Sequence, residues 1–300
     1  MKPITLRDSK ERLLRVLVHI QQHLDQPLPL ADLAARACLS PHHFHRVFTG
    51  MIGESLHSHI RRLRLERAAS RLKLGAQPVV QVALDAGYET HEAFSRVFRG
   101  AFGASPTAHR RRHGRAPLLP ARSAVHYRRD AVPRDFRTTR LLENMMNVTV
   151  KSIAPRRVAF MRHTGPYSEV GATWGKLCRQ LGKDGFIGPG AEFIGISHDD
   201  PEVTPPAKLR YDACVTVDAG FKPAGEIGVQ EVPGGEYAVL THNGPYERLN
   251  QSYYRLLGQW LPRSGRELGA SPCFELYLNS PENTAPEDLL TDIHAPLAPR

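Results

Sequence analysis

Apolar residues recur at helical spacing through the first third of the chain and at strand spacing through the second half. Leu13, Leu14, Leu17 and Ile20 fall on one side of a helix predicted over residues 9–23. Pro27 and Pro29 interrupt it, and Leu30, Leu33 and Ala34 mark a second helix over residues 29–37. Ser40 before Pro41 has the form of an N-cap with proline at the first helical position. The helix it opens turns Phe44, Val47 and Phe48 inward and His42, His45, Arg46 and Thr49 outward, and Gly50 and Gly53 end it. A long basic helix over residues 55–74 buries Ile60, Leu63 and Leu72. Pro78 then opens a helix with Val79, Val82 and Ala83 inward, and Gly87 lies in the turn that follows. Thr90 has the form of another N-cap, with Phe94, Val97 and Phe98 inward and His91, Glu92, Ser95 and Arg96 outward. Ser105-Pro106 starts a last short helix that ends in Arg110-Arg111-Arg112.

The outward and inward positions of these helices repeat. Phe44-His45-Arg46-Val47-Phe48-Thr49-Gly50-Met51-Ile52-Gly53 is echoed 50 residues later by Phe94-Ser95-Arg96-Val97-Phe98-Arg99-Gly100-Ala101-Phe102-Gly103. Each copy follows a short helix and a turn, so one chain carries two helix-turn-helix units and can present two recognition helices to double-stranded DNA.

Residues 113–146 change character. Pro117, Pro120, Pro133 and many arginines predict a loosely ordered linker that lies on the helical half. From Val148 the pattern is that of strands, with β-rich runs at Val158-Ala159-Phe160-Met161, Ala213-Cys214-Val215-Thr216-Val217 and Phe274-Glu275-Leu276-Tyr277-Leu278. This half repeats too: His163-Thr164-Gly165-Pro166-Tyr167 returns as His242-Asn243-Gly244-Pro245-Tyr246, 79 residues on. Each copy leads into one aromatic-rich helix, with Trp174 in the first and Tyr253, Tyr254 and Trp260 in the second, and then into two strands. The expected fold is multidomain: an all-α double helix-turn-helix domain over residues 8–112, the linker over 113–146, and an α+β domain over 147–299. The last is built of two strand–helix–strand–strand modules on an antiparallel sheet with both helices on one face.

Charge follows this division. Residues 1–120 hold 19 Lys/Arg against 9 Asp/Glu, residues 121–146 hold 6 against 3, and residues 147–300 hold 15 against 18. The basic excess sits with the helix-turn-helix repeat, the footprint of a nucleic-acid-binding half joined to a half with another task. Cys38, Cys178, Cys214 and Cys273 have no metal-ligand or redox spacing and read as reduced, buried thiols of a cytoplasmic protein. No apolar run approaches the roughly 20 residues that span a bilayer, and no membrane association is expected.

Ser40-Pro41-His42-His43-Phe44-His45-Arg46-Val47-Phe48 and its copy Ala86-Gly87-Tyr88…Phe94-Ser95-Arg96-Val97-Phe98 resemble the AraC/XylS transcription regulators, over about residues 8–112. The paired His-x-Gly-Pro-Tyr segments resemble the GyrI-like ligand-binding domain. So do Arg210-Tyr211-Asp212-Ala213-Cys214-Val215 and Cys273-Phe274-Glu275-Leu276-Tyr277 with Thr291-Asp292-Ile293, and the match covers about residues 147–298. The domain order resembles the Rob-like branch of these regulators. The resemblance implies a cytoplasmic, ligand-responsive transcription regulator. Its partners would be double-stranded DNA and a small-molecule effector, with RNA polymerase a further candidate, and it would need no cofactor.

Arginine reads guanine through O6 and N7, so Arg46 and Arg96, at equivalent positions of the repeat, are the first candidates for base contacts. His42, His45, His91, Glu92 and Ser95 flank them, and the resemblance places base-reading residues at the same helix positions. Arg61, Arg62, Arg64 and Arg67 on the connecting helix, with Arg110, Arg111 and Arg112, suit phosphate contacts. The cluster His42-His43-His45 does not converge on a helix and is not read as a metal site.

In the second half, Glu275 is a charge in an apolar strand. Alternation puts it with Cys273 and Tyr277 on one face and puts Phe274, Leu276 and Leu278 on the other. The second set is expected under the helices and the first in a groove at the module junction. A buried acid needs a partner; a cationic ligand held also by aromatic faces supplies one, and the resemblance implies this role for Glu275. The alternative partner is Arg210. The internal offset of 79 makes Ile196 and His198 the counterparts of Glu275 and Tyr277. The expected ligand site is Glu275, Tyr277, His198, Trp174 and Tyr253. The His-x-Gly-Pro-Tyr segments read as turns into helices rather than as catalytic groups. Two other readings of this half stay open. One is a small-molecule hydrolase in which Glu275 and a second polar group, for which His198 is the candidate, activate water; the other is a domain that binds only a protein.

Overall fold

Ser40, Thr90 and Ser105 each stand in extended conformation before a helix, and each side chain accepts a hydrogen bond from the backbone N–H three residues on. These caps fix where the helices of the first half begin. The protein is described here by a computed structural model that covers residues 6–130, 132–139, 147–201 and 203–299. The chain divides near residue 140 into two compact units.

In the first unit α1 (Leu6–Gln22), α2 (Leu30–Arg36) and α3 (Pro41–Ile52) form one helix-turn-helix group, and α5 (Val79–Asp85), α6 (His91–Phe102) and α7 (Pro106–Arg111) form the second. The long helix α4 (Leu56–Leu74) joins them. Phe94 and Phe98 pack with Leu65, Ala69, Leu72 and Val82, and Phe44 and Phe48 hold the equivalent buried positions in the first group. The turn inside each group needs a left-handed residue. Gly87 supplies it at φ +83°, whereas the first copy uses Cys38 at φ 57°, which leaves that thiol exposed and not buried as expected.

The basic connecting helix is a spine more than a charged face. Arg64 donates to the carbonyls of Leu24 and Gln26, and Arg67 donates to that of Asp85. Arg62 is buried and donates to Glu54, Glu66 and the carbonyl of Val125. The described residues of the segment expected as a loose linker do lie on this half, but strapped to the spine and not loose. The Glu66 carboxylate, 1% exposed, accepts from the backbone N–H of Leu119 and of Tyr127 and bonds the ring of His126. Gln21 of α1 donates to the carbonyl of His126 and accepts from the N–H of Arg128. Further on, Phe136 is buried and Thr139 donates its N–H to the carbonyl of Met51 at the end of α3. The buried Glu66 carboxylate gives Arg62 and the strap one shared anchor.

In the second unit eight strands form one antiparallel sheet in the order β1-β6-β8-β7-β3-β4-β2-β5. They are β1 (Val148–Ile153), β2 (Arg156–Thr164), β3 (Phe193–Ser197), β4 (Arg210–Thr216), β5 (Gly228–Val232), β6 (Gly235–Asn243), β7 (Phe274–Tyr277) and β8 (Leu290–Pro296). The modules are β2-α8-β3-β4 and β6-α9-β7-β8, where α8 is Val170–Lys183 and α9 begins at Leu249–Arg255. Strands β1 and β5 are exchanged: β1 pairs with β6 of the second module, and β5 with β2 of the first. The modules also meet at the centre, where β3 pairs with β7.

Helix α8 covers Ala159, Met161, Tyr211, Ala213 and Val215, and α9 covers Ala238, Leu240, Ile293 and Ala295. The other sides of the same strands meet in a third cluster of Val158, Ile194, Ile196, Cys214, Val232, Tyr237, Val239 and Phe274. This corrects the expectation for β7. Phe274 and Leu276 pack in that third cluster, away from the helices, and Glu275 is on the helix-bearing face. Alternation sorted the residues rightly, but both sides of this strand are buried, so it could not say which side the helices cover.

A candidate DNA-reading surface and a buried acid between two helices

The first unit's candidate contacts do not share one environment. On α6, Arg96 and Glu92 are exposed, and His91 and Ser95 are half-buried with Ser95 Oγ 3.3 Å from His91 Nε2. Arg99, one turn beyond Arg96, is exposed on the same helix. On α3 the pattern is reversed: His42 is half-buried, and His45 and Arg46 are each only 3% exposed. The outward face expected for α3 is thus covered. Chain lies on the flank of the first group: Arg122 and Thr139 lie against Gly53, and Lys10 sits over the ring of Phe136. The phosphate candidates also divide. Arg61 and Arg111 are exposed, Arg110 donates to the carbonyl of Gln77, and Arg62 is withdrawn into the strap network. Arg62 is therefore corrected from a phosphate contact to an internal anchor.

In the second unit, Glu275 lies at the central strand pair between α8 and α9, 4% exposed. Its Oε1 accepts from the hydroxyls of Tyr253 at 3.0 Å and Ser197 at 3.3 Å, and its Oε2 accepts from Tyr277 at 2.8 Å. Behind Tyr277, the hydroxyl of Tyr211 stands 2.8 Å away and takes a hydrogen bond from Trp174 Nε1 at 3.1 Å. The Tyr277 ring meets Trp174 and Tyr246 edge-on, at 5.8 and 5.3 Å between centroids. Burial, and next the charge of Glu275, push the phenols of Tyr211 and Tyr277 well above their usual range; the same two causes raise Tyr246. The three phenols therefore stay protonated around the acid.

Of the expected site residues, Glu275, Tyr277, Trp174 and Tyr253 come together. His198 does not. Its Nε2 is 2.8 Å from Asp212, which also binds Arg162 and Gln230. Burial would raise the Asp212 carboxyl, but the hydrogen bonds from Arg162 and His198 bring it below its usual range. Arg210 pairs with Asp199, at 2.9 and 3.0 Å, and not with Glu275.

The misplacement of His198 has a local cause. Up to the helices the modules align at an offset of 79, but after them Tyr211-Asp212 aligns with Thr291-Asp292, at 80. The extra residue sits in a π-helical turn, Leu256–Trp260, that continues α9 before the short helix α10 (Leu261–Ser264). The counterparts of Glu275 and Tyr277 are therefore Gly195 and Ser197, not Ile196 and His198, and Gly195 pairs directly with Glu275 across the strands. Gly195, Ser197 and Tyr211 belong to the site and escaped the reading from sequence; the Asp212/Asp292 match was the signal that could have found them.

The His-x-Gly-Pro-Tyr segments are turns. His163 and His242 each bind the carbonyl of the Pro three residues on and a helix hydroxyl, Thr173 or Ser252. Gly165 and Gly244 take φ of +142° and +124°.

Residues 146–298 match the GyrI-like small molecule binding domain, and residues 33–112 match a helix-turn-helix domain. The Right origin-binding protein of Escherichia coli K12 is 35% identical over 96 residues, 32% of this chain and 33% of that protein. The chain thus spans about a third of the length of the curated relatives it first matches. The DNA gyrase inhibitor of Enterobacter lignolyticus is 34% identical over 137 residues, 45% of this chain and 87% of that protein. The regulatory protein SoxS of Salmonella typhimurium is 33% identical over 105 residues, 35% of this chain and 98% of that protein. Among solved structures, the EcmrR–DNA complex aligns with a TM-score of 0.46 at 22% identity, over 51% of this chain and 57% of that one. Among the described residues no helix is long and apolar enough to cross a membrane. The chain belongs to the GyrI-like small-molecule-binding family and carries, ahead of that domain, a helix-turn-helix domain of the AraC type.

Proposed function

We propose that this chain is a sequence-specific DNA-binding transcription regulator whose C-terminal domain senses a small cationic, amphipathic molecule. The observation that carries the sensor reading is Glu275: a carboxylate 4% exposed, ringed by tyrosine hydroxyls and aromatic edges from both modules. An anion in a low-dielectric site gains more from a bound cation than an exposed one does, and the surrounding rings add cation–π attraction. On the DNA side, the exposed face of α6 with Arg96 supports base reading, His91, Glu92 and Ser95 flank it, and Arg61 and Arg111 supply phosphate contacts. His42, His45 and Arg46 of α3 would form a second reading face only once uncovered, since His45 and Arg46 are each 3% exposed. The names of the relatives, an origin-binding protein and a regulatory protein, agree with this reading. RNA polymerase is the further partner a regulator of this kind addresses.

The hydrolase reading is the weaker one. It needed His198 to face Glu275 and orient a water, and His198 is bound to Asp212 instead. The test is to select duplexes bound by the full chain from a random pool and to titrate the enriched site with and without tetraphenylphosphonium. Enrichment of one sequence whose affinity changes with the cation supports the proposal. Uniform recovery of the pool, or an affinity indifferent to the cation, contradicts it.

A further inference from the structure

Gly195 is the pseudo-symmetric counterpart of Glu275 and pairs with it across β3 and β7. A Cβ built at Gly195 would collide with the hydroxyl of Tyr211 and lie 2.6 Å from that of Tyr277. The absence of a side chain therefore admits the two hydroxyls to the same place above β3, 2.8 Å apart.

The direction of the bonds through that pair is fixed. The indole N–H of Trp174 can only donate, so the Tyr211 oxygen accepts from it. With Glu275 ionised, Tyr277 spends its proton on Oε2. The proton between the two phenols must then come from Tyr211. All the dipoles of the chain Trp174–Tyr211–Tyr277 point at one carboxylate oxygen, and such aligned bonds polarise and strengthen one another. The chain starts on α8 and ends on β7, so the first module holds the acid of the second in place.

We propose that Gly195 and Tyr211 are positioning residues that set the charge selectivity of the Glu275 site. By making room for the hydroxyl chain and by feeding it, they hold the carboxylate in one orientation. A cationic ligand reads that fixed anion, whereas a neutral ligand of similar shape reads only the aromatic walls. This rests on the cation-sensing reading above and deepens it.

The experiment titrates the full chain with tetraphenylphosphonium and with neutral triphenylphosphine oxide. Tyr211→Phe keeps the ring and removes the hydroxyl; it should weaken the cation about 3–10-fold and the neutral compound by less than about 2-fold. Gly195→Ala should do the same by displacing the hydroxyls. The double variant should be no worse than the poorer single one, because both break the same chain. Equal loss for both compounds, or losses that simply add in the double variant, overturns the proposal. Glu275→Gln separates the two levels. If it fails to distinguish cation from neutral compound, the cation-sensor reading falls and this inference with it. If it distinguishes them while Tyr211→Phe and Gly195→Ala do not, only the positioning role falls.

Discussion

The chain contains two duplications, and it has used them in opposite ways. In the first unit, Arg46 and Arg96 stand at equivalent positions of the two helix-turn-helix copies, and the same residue type is kept in both. In the second unit, the equivalent positions hold Glu275 in one copy and Gly195 in the other. DNA presents similar grooves one helical turn apart, so on the proposed reading two alike helices would each serve one groove. On the proposed reading a small ligand bound once needs one charge, and the glycine of the other copy leaves room for the two hydroxyls beside it. The first duplication is alike in sequence yet unlike in exposure: Arg96 is open while Arg46 is 3% exposed.

The largest expected effect comes from the spine that both helix-turn-helix groups share. Glu66→Ala would leave buried Arg62 short of a carboxylate and release the backbone N–H groups of Leu119 and Tyr127. It should destabilise the first unit by about 3–5 kcal/mol, the usual consequence of removing one member of a buried pair. A denaturant midpoint that stays put would mean the strap is not an integral part of that unit.

Smaller effects should separate the two reading helices. Arg96→Ala should lower affinity for a selected site by about 1–3 kcal/mol and random-sequence affinity by less. Arg46→Ala should lower specific affinity less than Arg96→Ala, because Arg46 is buried. Equal losses from the two variants, measured on one duplex, would mean that α3 opens fully on DNA and that the copies act alike.

A third difference lies in pH. His43 on α3 has Ala93 as its counterpart on α6. Burial, and then the charges of Arg46 and Arg12, lower the His43 pKa from 6.5 to about 4. As pH falls, the unfolded chain takes up this proton first, so the stability contribution is full above pH 6.5 and declines toward pH 4. His43→Ala should flatten the pH dependence of unfolding in that window. An unchanged slope would locate the acid sensitivity elsewhere.

The parts of the molecule legible in the sequence are those fixed by neighbours along the chain. Ser40 and Thr90 cap the helices the pattern assigned to them, and Phe44, Phe48, Phe94 and Phe98 are buried as their spacing required. The aromatic helices after each His-x-Gly-Pro-Tyr turn stand where the second repeat put them. What escaped depends on distant residues. Arg61 and Arg62 look alike as a basic pair, but only Arg62 meets Glu54, Glu66 and the strap. The partners of Glu275 were half found. Trp174, Tyr253 and Tyr277 are large aromatics that spacing could place, whereas Gly195 acts by what it lacks. A single π-helical residue shifted the register and turned His198 to the wrong face.

The most direct test of the account is a calorimetric titration of the full chain and of Glu275→Gln with tetraphenylphosphonium and triphenylphosphine oxide. Glu275→Gln keeps the size of the side chain and removes its charge. A cation-sensing Glu275 should show a loss of about 1–3 kcal/mol for the cation, in the range of hydrogen bonds to charged groups, and little change for the neutral compound. Equal losses for the two compounds, or none for the cation, would contradict it.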